Sequence, residues 1–172
     1  MHYAQLHQVR QELTGPGGPF EIIEAEVLGR RMKIYKNAPP SAREFWLSTA
    51  AFGARDYLVY QNERLTYAQS HDQVRAVTAW LWEQGVRPGD RVAIAMRNYP
   101  EWMLVYWACL CIGVAAVGTN AWWTPEELDY ALADSTPKVI FADAERLARL
   151  AECAGAAAKV TTVAVRADAP GT

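Results

Sequence analysis

The sequence predicts an α/β fold built in layers on a parallel sheet, with an N-terminal helical and extended arm over residues 1–40 and the sheet unit over residues 41–172. Three observations carry this. Arg87 to Asn120 reads as a strand, a helix and a returning strand. Arg91 to Met96 is a short apolar run without period-2 alternation, the pattern of a strand covered on both faces. From Thr66 onward, helical and strand-like stretches alternate, which spells a doubly wound sheet. A parallel return needs a crossover of about this length, and in such sheets ligands bind outside the carboxyl ends of the strands. Those ends are Arg97-Asn98 and Gly118-Thr119-Asn120.

In the arm, Tyr3, Leu6, Val9 and Leu13 recur at helical spacing, and the glycines and prolines from Gly15 to Pro19 stop the helix. Those prolines remove backbone donors and no lysine follows, so a connector is expected there and not a phosphate cradle. Phe20 to Val27 and Met32 to Tyr35 look extended and joined around Gly29. Ser41 with Glu44 forms a capping box for a helix showing Phe45, Thr49 and Phe52 on one face. A hairpin follows over Tyr57 to Thr66, with Asn62 suited to positive φ in its turn. Thr66 and Gln69 form a second capping box, and the helix they open presents Val74, Val77 and Leu81 before Gly85 ends it.

In the central unit, Asn98 is placed to cap a helix with Pro100 and Glu101 in its first turn. Its apolar residues run through Trp102, Tyr106, Cys109 and Leu110 to Gly113, and Val114 to Val117 is the return strand. Trp102 to Gly118 carries no charge, yet it is short for a bilayer and lacks basic flanks, so a core helix is expected. Gly113 and Gly118 have phosphate-loop spacing, but Thr119 stands where the lysine is required. Thr124-Pro125-Glu126-Glu127 has cap, proline and capping glutamate in their expected places, opening a helix that buries Leu128, Ala131 and Leu132. Lys138 to Ala142 reads as another buried strand. Asp143 caps a helix with Leu147, Leu150, Ala151 and Ala154 inward, closed by Gly155, and Val160 to Val165 is the last strand.

At 172 residues and 51% apolar content the chain can bury a core, and a net charge of -2 leaves no basic footprint for nucleic acid. Cys109, Cys111 and Cys153 form neither an even disulfide set nor a metal pattern, which fits a reduced, cytoplasmic protein. His2, His7 and His71 stand without carboxylate or thiol partners at ligand spacing, and the N-terminus has no secretory core.

Leu65-Thr66-Tyr67 before a helix, Gly85-Val86 with Pro88-Gly89-Asp90-Arg91-Val92-Ala93 entering a strand, Asn98 at the next helix, and Gly113 before Val114-Ala115-Ala116-Val117 resemble adenylate-forming enzymes. Asn120, Thr124-Pro125-Glu126-Glu127-Leu128 and Lys138 through Asp143 continue the likeness in order over roughly Tyr57 to Val165. The group is the acyl-CoA synthetases, with luciferases and peptide-synthetase adenylation domains as relatives. The stretch from Gly15 to Tyr35 is also similar to its fatty-acyl-CoA ligases.

The resemblance implies a two-step ligase: a carboxylic acid attacks ATP to give an acyl adenylate, and the CoA thiol then displaces AMP, with Mg²⁺ assisting. ATP, Mg²⁺ and CoA are thus implied for the full-length enzyme and none for this stretch. The family's phosphate loop, adenine motif, ribose-binding aspartate and C-terminal lysine lie beyond the matched part, so no catalytic, cofactor or metal residue is carried over. The expectation is an N-terminal subdomain, truncated before the phosphate loop, that is inactive alone, pairs with the C-terminal portion of the same protein and self-associates. Arg97, Asn98, Asn120, Trp122 and Trp123, at the strand ends, are the candidates for lining an acyl pocket. The alternative from the residues is a complete small α/β binding or scaffold module. A dinucleotide oxidoreductase is disfavoured because no G-x-G-x-x-G follows a strand.

Overall fold

The computed structural model describes residues 3–153, 155 and 159–167. The chain divides into two units, Met1–Ser41 and Ala42–Thr172. In the first, helix α1 (Tyr3–Thr14) precedes an antiparallel hairpin of β1 (Ile22–Val27) and β2 (Arg30–Tyr35). Val27 pairs with Arg30, so the turn is Leu28-Gly29, both at positive φ (50° and 74°). That combination matches the twist of the two strands. The Glu21 carboxylate accepts from Gly17 N and from Lys36 Nζ, each at 3.0 Å, which ties the glycine-rich connector to the end of the hairpin.

The second unit runs α2 (Ala42–Ser48), a 3₁₀ turn over Thr49–Phe52, β3 (Asp56–Tyr60), β4 (Glu63–Thr66), α3 (Tyr67–Glu83), β5 (Arg91–Ala95), α4 (Pro100–Cys111), β6 (Ala115–Gly118), α5 (Pro125–Ser135), β7 (Val139–Asp143), α6 (Ala144–Glu152) and β8 (Thr161–Val165). The last four strands form one parallel sheet in the order β6-β5-β7-β8.

Alternation along the two central strands divides the core. Val92, Ile94, Val139 and Phe141 face a cluster with Val74 and Leu81 of α3 and Leu104, Val105, Ala108 and Cys109 of α4. Ala93, Ala95, Ile140 and Ala142 face Leu128 and Leu132 of α5 with Leu147 and Leu150 of α6. Alanine on the second face lets α5 and α6 approach the sheet closely, and the larger residues on the first fill the space under α3 and α4. The result is the doubly wound layering that the alternation of elements predicts.

Several local expectations hold in detail. Two of the three expected capping boxes are seen, Thr66 with Gln69 and Thr124 with Glu127, and Asp143 caps α6 by accepting from Arg146 N at 3.1 Å. Gly113 follows α4 at φ 69°, a conformation that releases the chain into β6.

Others are corrected. The cap of α4 is Tyr99 and not Asn98, and it makes no side-chain bond; Pro100 at the first helical position needs no donor partner. Gln61, not Asn62, takes the positive φ (49°) in the β3–β4 turn. Of the face expected on α2 and its 3₁₀ continuation, Thr49 is buried but Phe45 and Phe52 lie exposed, and the large buried residue is Trp46. β6 is an edge strand and only half covered, so its apolar character does not mark a central position. Leu110 is only partly buried, and the inward residues of α4 are Leu104, Val105, Ala108 and Cys109. Ala151 is exposed, α6 closes at Cys153 and not at Gly155, and Ala154 lies outside the described residues.

Candidate functional site

Because α4 covers one face of the sheet and α5 the other, the chain leaves β5 in one direction and returns to its opposite side as β7. A crevice opens at such a switch point, outside the carboxyl ends of the strands. Here it is an open cavity of about 1090 Å³. Arg97, Asn98, Asn120, Trp122 and Trp123, the five residues picked from the sequence, all line it. The Arg97 guanidinium lies 4.8 Å over the Trp122 ring, so the β5 and β6 strand ends meet across the opening. Asn120 Oδ1 accepts from Trp122 N at 2.9 Å, an Asx turn that fixes the loop before α5.

The floor is polar and almost fully buried. Asp143 and Arg146 are 4% and 2% exposed and form an ion pair at 3.2 Å. Asp143 Oδ2 also accepts from Arg97 N at 2.9 Å, which links the ends of β5 and β7. Arg146 donates to the Ala121 carbonyl through Nε and Nη2, and Arg149 donates to the carbonyls of Ala121 and Trp123 at 2.7 and 3.0 Å. Glu145 takes both arginines. The loop carrying Trp122 and Trp123 is therefore held from below by two side chains of α6.

The far wall is built by Arg166, directly after β8, with its backbone in the left-handed region at φ 53°. Its guanidinium reaches Glu63 at 2.6 Å and Glu101 at 3.0 Å, and lies 5.0 and 5.1 Å over the rings of Tyr60 and Tyr99. The bonds to Glu63 and then Glu101 hold the guanidinium protonated well beyond its ordinary range. Conversely, Arg166 lowers the Glu63 carboxyl below its usual value.

Sequence reading missed Tyr60, Tyr99, Trp102, Asp143, Arg146 and Arg166 as site residues. Asp143 and Arg146 carried a signal, an acid and a base three apart at a strand end opening a helix. Arg166 carried one too, as the residue that follows the last strand. Tyr60 comes from the hairpin, whose docking on α3 and α4 no local pattern reports. His71 lies away from the cavity, with Nε2 3.0 Å from Thr49 Oγ1 and its ring stacked on Trp46 at 4.2 Å; burial, then Arg75, lowers its pKa.

A family model described as AMP-binding enzyme matches residues 45–171. The chain belongs to the AMP-binding enzyme family. Within it, the chain is 33% identical over 107 residues to a long-chain-fatty-acid–CoA ligase of Mycobacterium tuberculosis, covering 58% of this chain and 18% of that protein. It is 26% identical over 118 residues to a 4-hydroxybenzoate–CoA/benzoate–CoA ligase of Rhodopseudomonas palustris, covering 69% and 22%. The solved structure of an anthranilate CoA ligase in complex with anthranoyl-AMP superposes with a TM-score of 0.70 at 22% identity, over 75% of this chain and 26% of that one. That likeness shows the fold: the parallel-sheet unit is that of the N-terminal part of adenylate-forming CoA ligases. The chain spans about a fifth of the length of these two curated relatives. Among the described residues no helix is long and apolar enough to cross a membrane; the uncharged run from Trp102 to Gly118 is the body of α4, a turn and β6.

Proposed function

We propose that this chain supplies the N-terminal subdomain of a cytoplasmic, ATP-dependent acyl-CoA synthetase, and that by itself it does not catalyse adenylation. The observation that carries the reading is the crevice at the β5/β7 switch point in a chain whose family is that of AMP-binding enzymes. The relatives' much greater length supports a site completed by parts beyond this one. In this reading Trp122, Trp123 and Asn120 form one wall of the acyl pocket, Arg97 and Asn98 another, and α6 fixes their positions through the Ala121 and Trp123 carbonyls. The isolated chain is expected to self-associate through exposed apolar residues such as Val59, Trp122 and Tyr130.

ATP and Mg²⁺ would supply activation of the carboxylate and neutralisation of the departing pyrophosphate. The residues around the crevice do not fit that role. Arg146 and Arg149 are committed to Asp143, Glu145 and loop carbonyls, and Arg166 to Glu63 and Glu101. Among the described residues no group of three or more His, Cys, Asp or Glu is placed to hold a metal. A triphosphate needs preorganised cations and donors, and losing even one such donor typically costs a factor of about 10² to 10³. The unit's own contribution is therefore shape and orientation: it excludes water from one side of the acid and presents a rigid aromatic wall.

The test is acid-dependent exchange of labelled pyrophosphate into ATP, with Mg²⁺ and a panel of short to long carboxylic acids. The 172-residue chain should show none, and the product of the reading frame extended past Thr172 should exchange and form CoA thioesters. Exchange by the 172-residue chain that vanishes in Arg97→Ala would overturn the inactivity. An extended product inert with every acid would overturn the ligase reading.

A further inference from the structure

The parallel sheet ends at β6, which among the described residues pairs only with β5. Ala115 N donates to the Asp90 carbonyl at 2.9 Å and Thr119 N to the Ile94 carbonyl at 3.1 Å, so these residues face β5. Alternate residues of a parallel strand face opposite neighbours, and Ala116 and Gly118 therefore turn their N–H and C=O groups outward. Edges of this kind are usually guarded by lysine, proline or a bulge, and Ala115–Gly118 holds none of these.

Beside this edge runs an open groove of about 560 Å³ between β6 and α5. Its floor is apolar, with Val117, Trp123 and Ala131, and its charges are all negative: Glu126, Glu127 and Asp134 line it, and no lysine or arginine does. Glu127 is occupied by the Thr124 N–H at 2.9 Å, whereas Glu126, Tyr130 and Asp134 stand exposed, Tyr130 at 73%. These three are spaced four apart, so they form one stripe along α5 that reads acid, aromatic, acid.

The stripe has the repeat of an extended chain. The helix from Glu126 to Asp134 spans about 12 Å, and four steps of a strand span about 13 Å. Side chains i, i+2 and i+4 of a strand share one face. A strand laid against β6 thus sets three successive side chains of one face over Glu126, Tyr130 and Asp134.

We infer that the β6 edge and the α5 groove together dock an extended segment of a partner polypeptide that reads basic, any, apolar, any, basic. Its backbone extends the sheet through Ala116 and Gly118, its apolar side chain lies on Val117 and Tyr130, and its two cations meet Glu126 and Asp134. A second copy of this chain does not supply such a segment: its lysines and arginines stand four apart only at Arg87 and Arg91, and Gly89 lies midway. The inference is independent of the ligase reading, because the groove's lining shares only Trp123 with the strand-end crevice.

The probe is the end-blocked peptide Thr-Lys-Thr-Val-Thr-Lys-Thr, titrated into the 172-residue chain by calorimetry. A peptide of the same composition, Thr-Lys-Thr-Val-Lys-Thr-Thr, puts its two cations on opposite faces of a strand. The first should bind saturably and the second at least tenfold more weakly. Tyr130→Ala, and Glu126→Gln combined with Asp134→Asn, should each weaken the first peptide at least fivefold; all three positions are exposed, so the variants should fold, as circular dichroism would verify. Amide exchange at Ala116 and Gly118 should slow on binding, and Arg97→Ala, in the crevice, should leave the affinity unchanged. The inference is overturned by absence of saturable binding, by equal binding of the two peptides, by either groove variant binding as the unaltered chain does, or by unchanged exchange at Ala116 and Gly118. It is also overturned if Arg97→Ala abolishes the binding, which would place the peptide at the strand ends. The product of the reading frame extended past Thr172 should bind the first peptide equally well; loss of binding there would show that the protein's own chain covers the edge and would overturn the assignment to a separate partner.

Discussion

Replacing Asp143 with alanine should be the most destabilising single change at the strand-end site. The side chain does three things at once: it neutralises Arg146 in a pair that is 5% and 2% exposed, caps α6 through Arg146 N, and accepts from Arg97 N. Removing one member of a buried pair leaves an uncompensated charge, which costs about 3 to 5 kcal/mol. Loss of a cap costs about 1 kcal/mol more, but the two effects share one carboxylate and do not add. Glu145, 2.9 Å from Arg146 and half exposed, recovers part of the charge balance, so a loss of about 3 kcal/mol is expected. Domains of this size have about 5 to 15 kcal/mol in total. The assay is urea unfolding followed by circular dichroism, with the midpoint shift read at constant slope. Asp143→Asn keeps an acceptor for the helix end and should lose less. Asp143→Ala combined with Arg146→Met removes both charges and should be more stable than Asp143→Ala alone. A loss below about 1 kcal/mol for Asp143→Ala, or a double variant no better than the single, would refute the buried-pair argument.

In the core, Leu104→Ala should cost about 2 to 5 kcal/mol, and Leu110→Ala clearly less, because Leu104 is 4% exposed and Leu110 only partly covered; equal losses in thermal unfolding would contradict that ranking. Burial pushes the Cys109 thiol up to about 12, above the value near 8.5 of an unfolded thiol. Its contribution to stability is therefore complete below the unfolded value and lost as pH rises towards 12, and Cys109→Ala should flatten that alkaline decline in urea midpoints. Arg166→Ala should loosen the β3–β4 hairpin without unfolding the sheet, seen as faster amide exchange over Glu63 to Thr66; unchanged exchange there would show that the pairs to Glu63 and Glu101 are ornamental. Sedimentation at micromolar concentration should show a dimer or larger species, and a clean monomer that binds no hydrophobic dye would remove self-association.

What was legible in the sequence follows the range of the forces involved. Caps act over three residues, so Thr66-Gln69, Thr124-Glu127 and Asp143 could be placed from spacing alone. The central strands could be found because burial on both faces leaves a continuous apolar run, as in β5 and β7. β6 has the same composition and lies at the edge, since strand order is decided by crossovers whose direction no single stretch encodes. Trp46 was overlooked because its burial comes from Tyr57, His71 and Trp107, all distant in sequence. The five strand-end residues were reachable from topology: whatever follows a parallel strand must line the crevice. Arg146 was not, because an arginine near a helix start reads as solvent-facing until the loop whose carbonyls it takes is in place.

The same distinction bears on the ligase role proposed above. Asp143, which ends β7, and Arg166, which follows β8, carry groups that could serve chemistry, yet both are spent on holding neighbouring elements. Asp143 binds the end of β5 to the start of α6, and Arg166 binds the end of β8 to the hairpin and to α4. An exposed pair contributes little, but these groups are linked into networks of two and three partners, and such networks fix geometry more than they add stability. Arg97 differs in that the contact of its guanidinium is with an aromatic face, Trp122, which is 68% exposed. A cation over an exposed ring is the easiest of the cavity's charges to redirect towards an incoming carboxylate. In the proposed ligase the contact with the acid should therefore run through Arg97 and Trp122, with the remaining charged residues acting as the frame that keeps them in place.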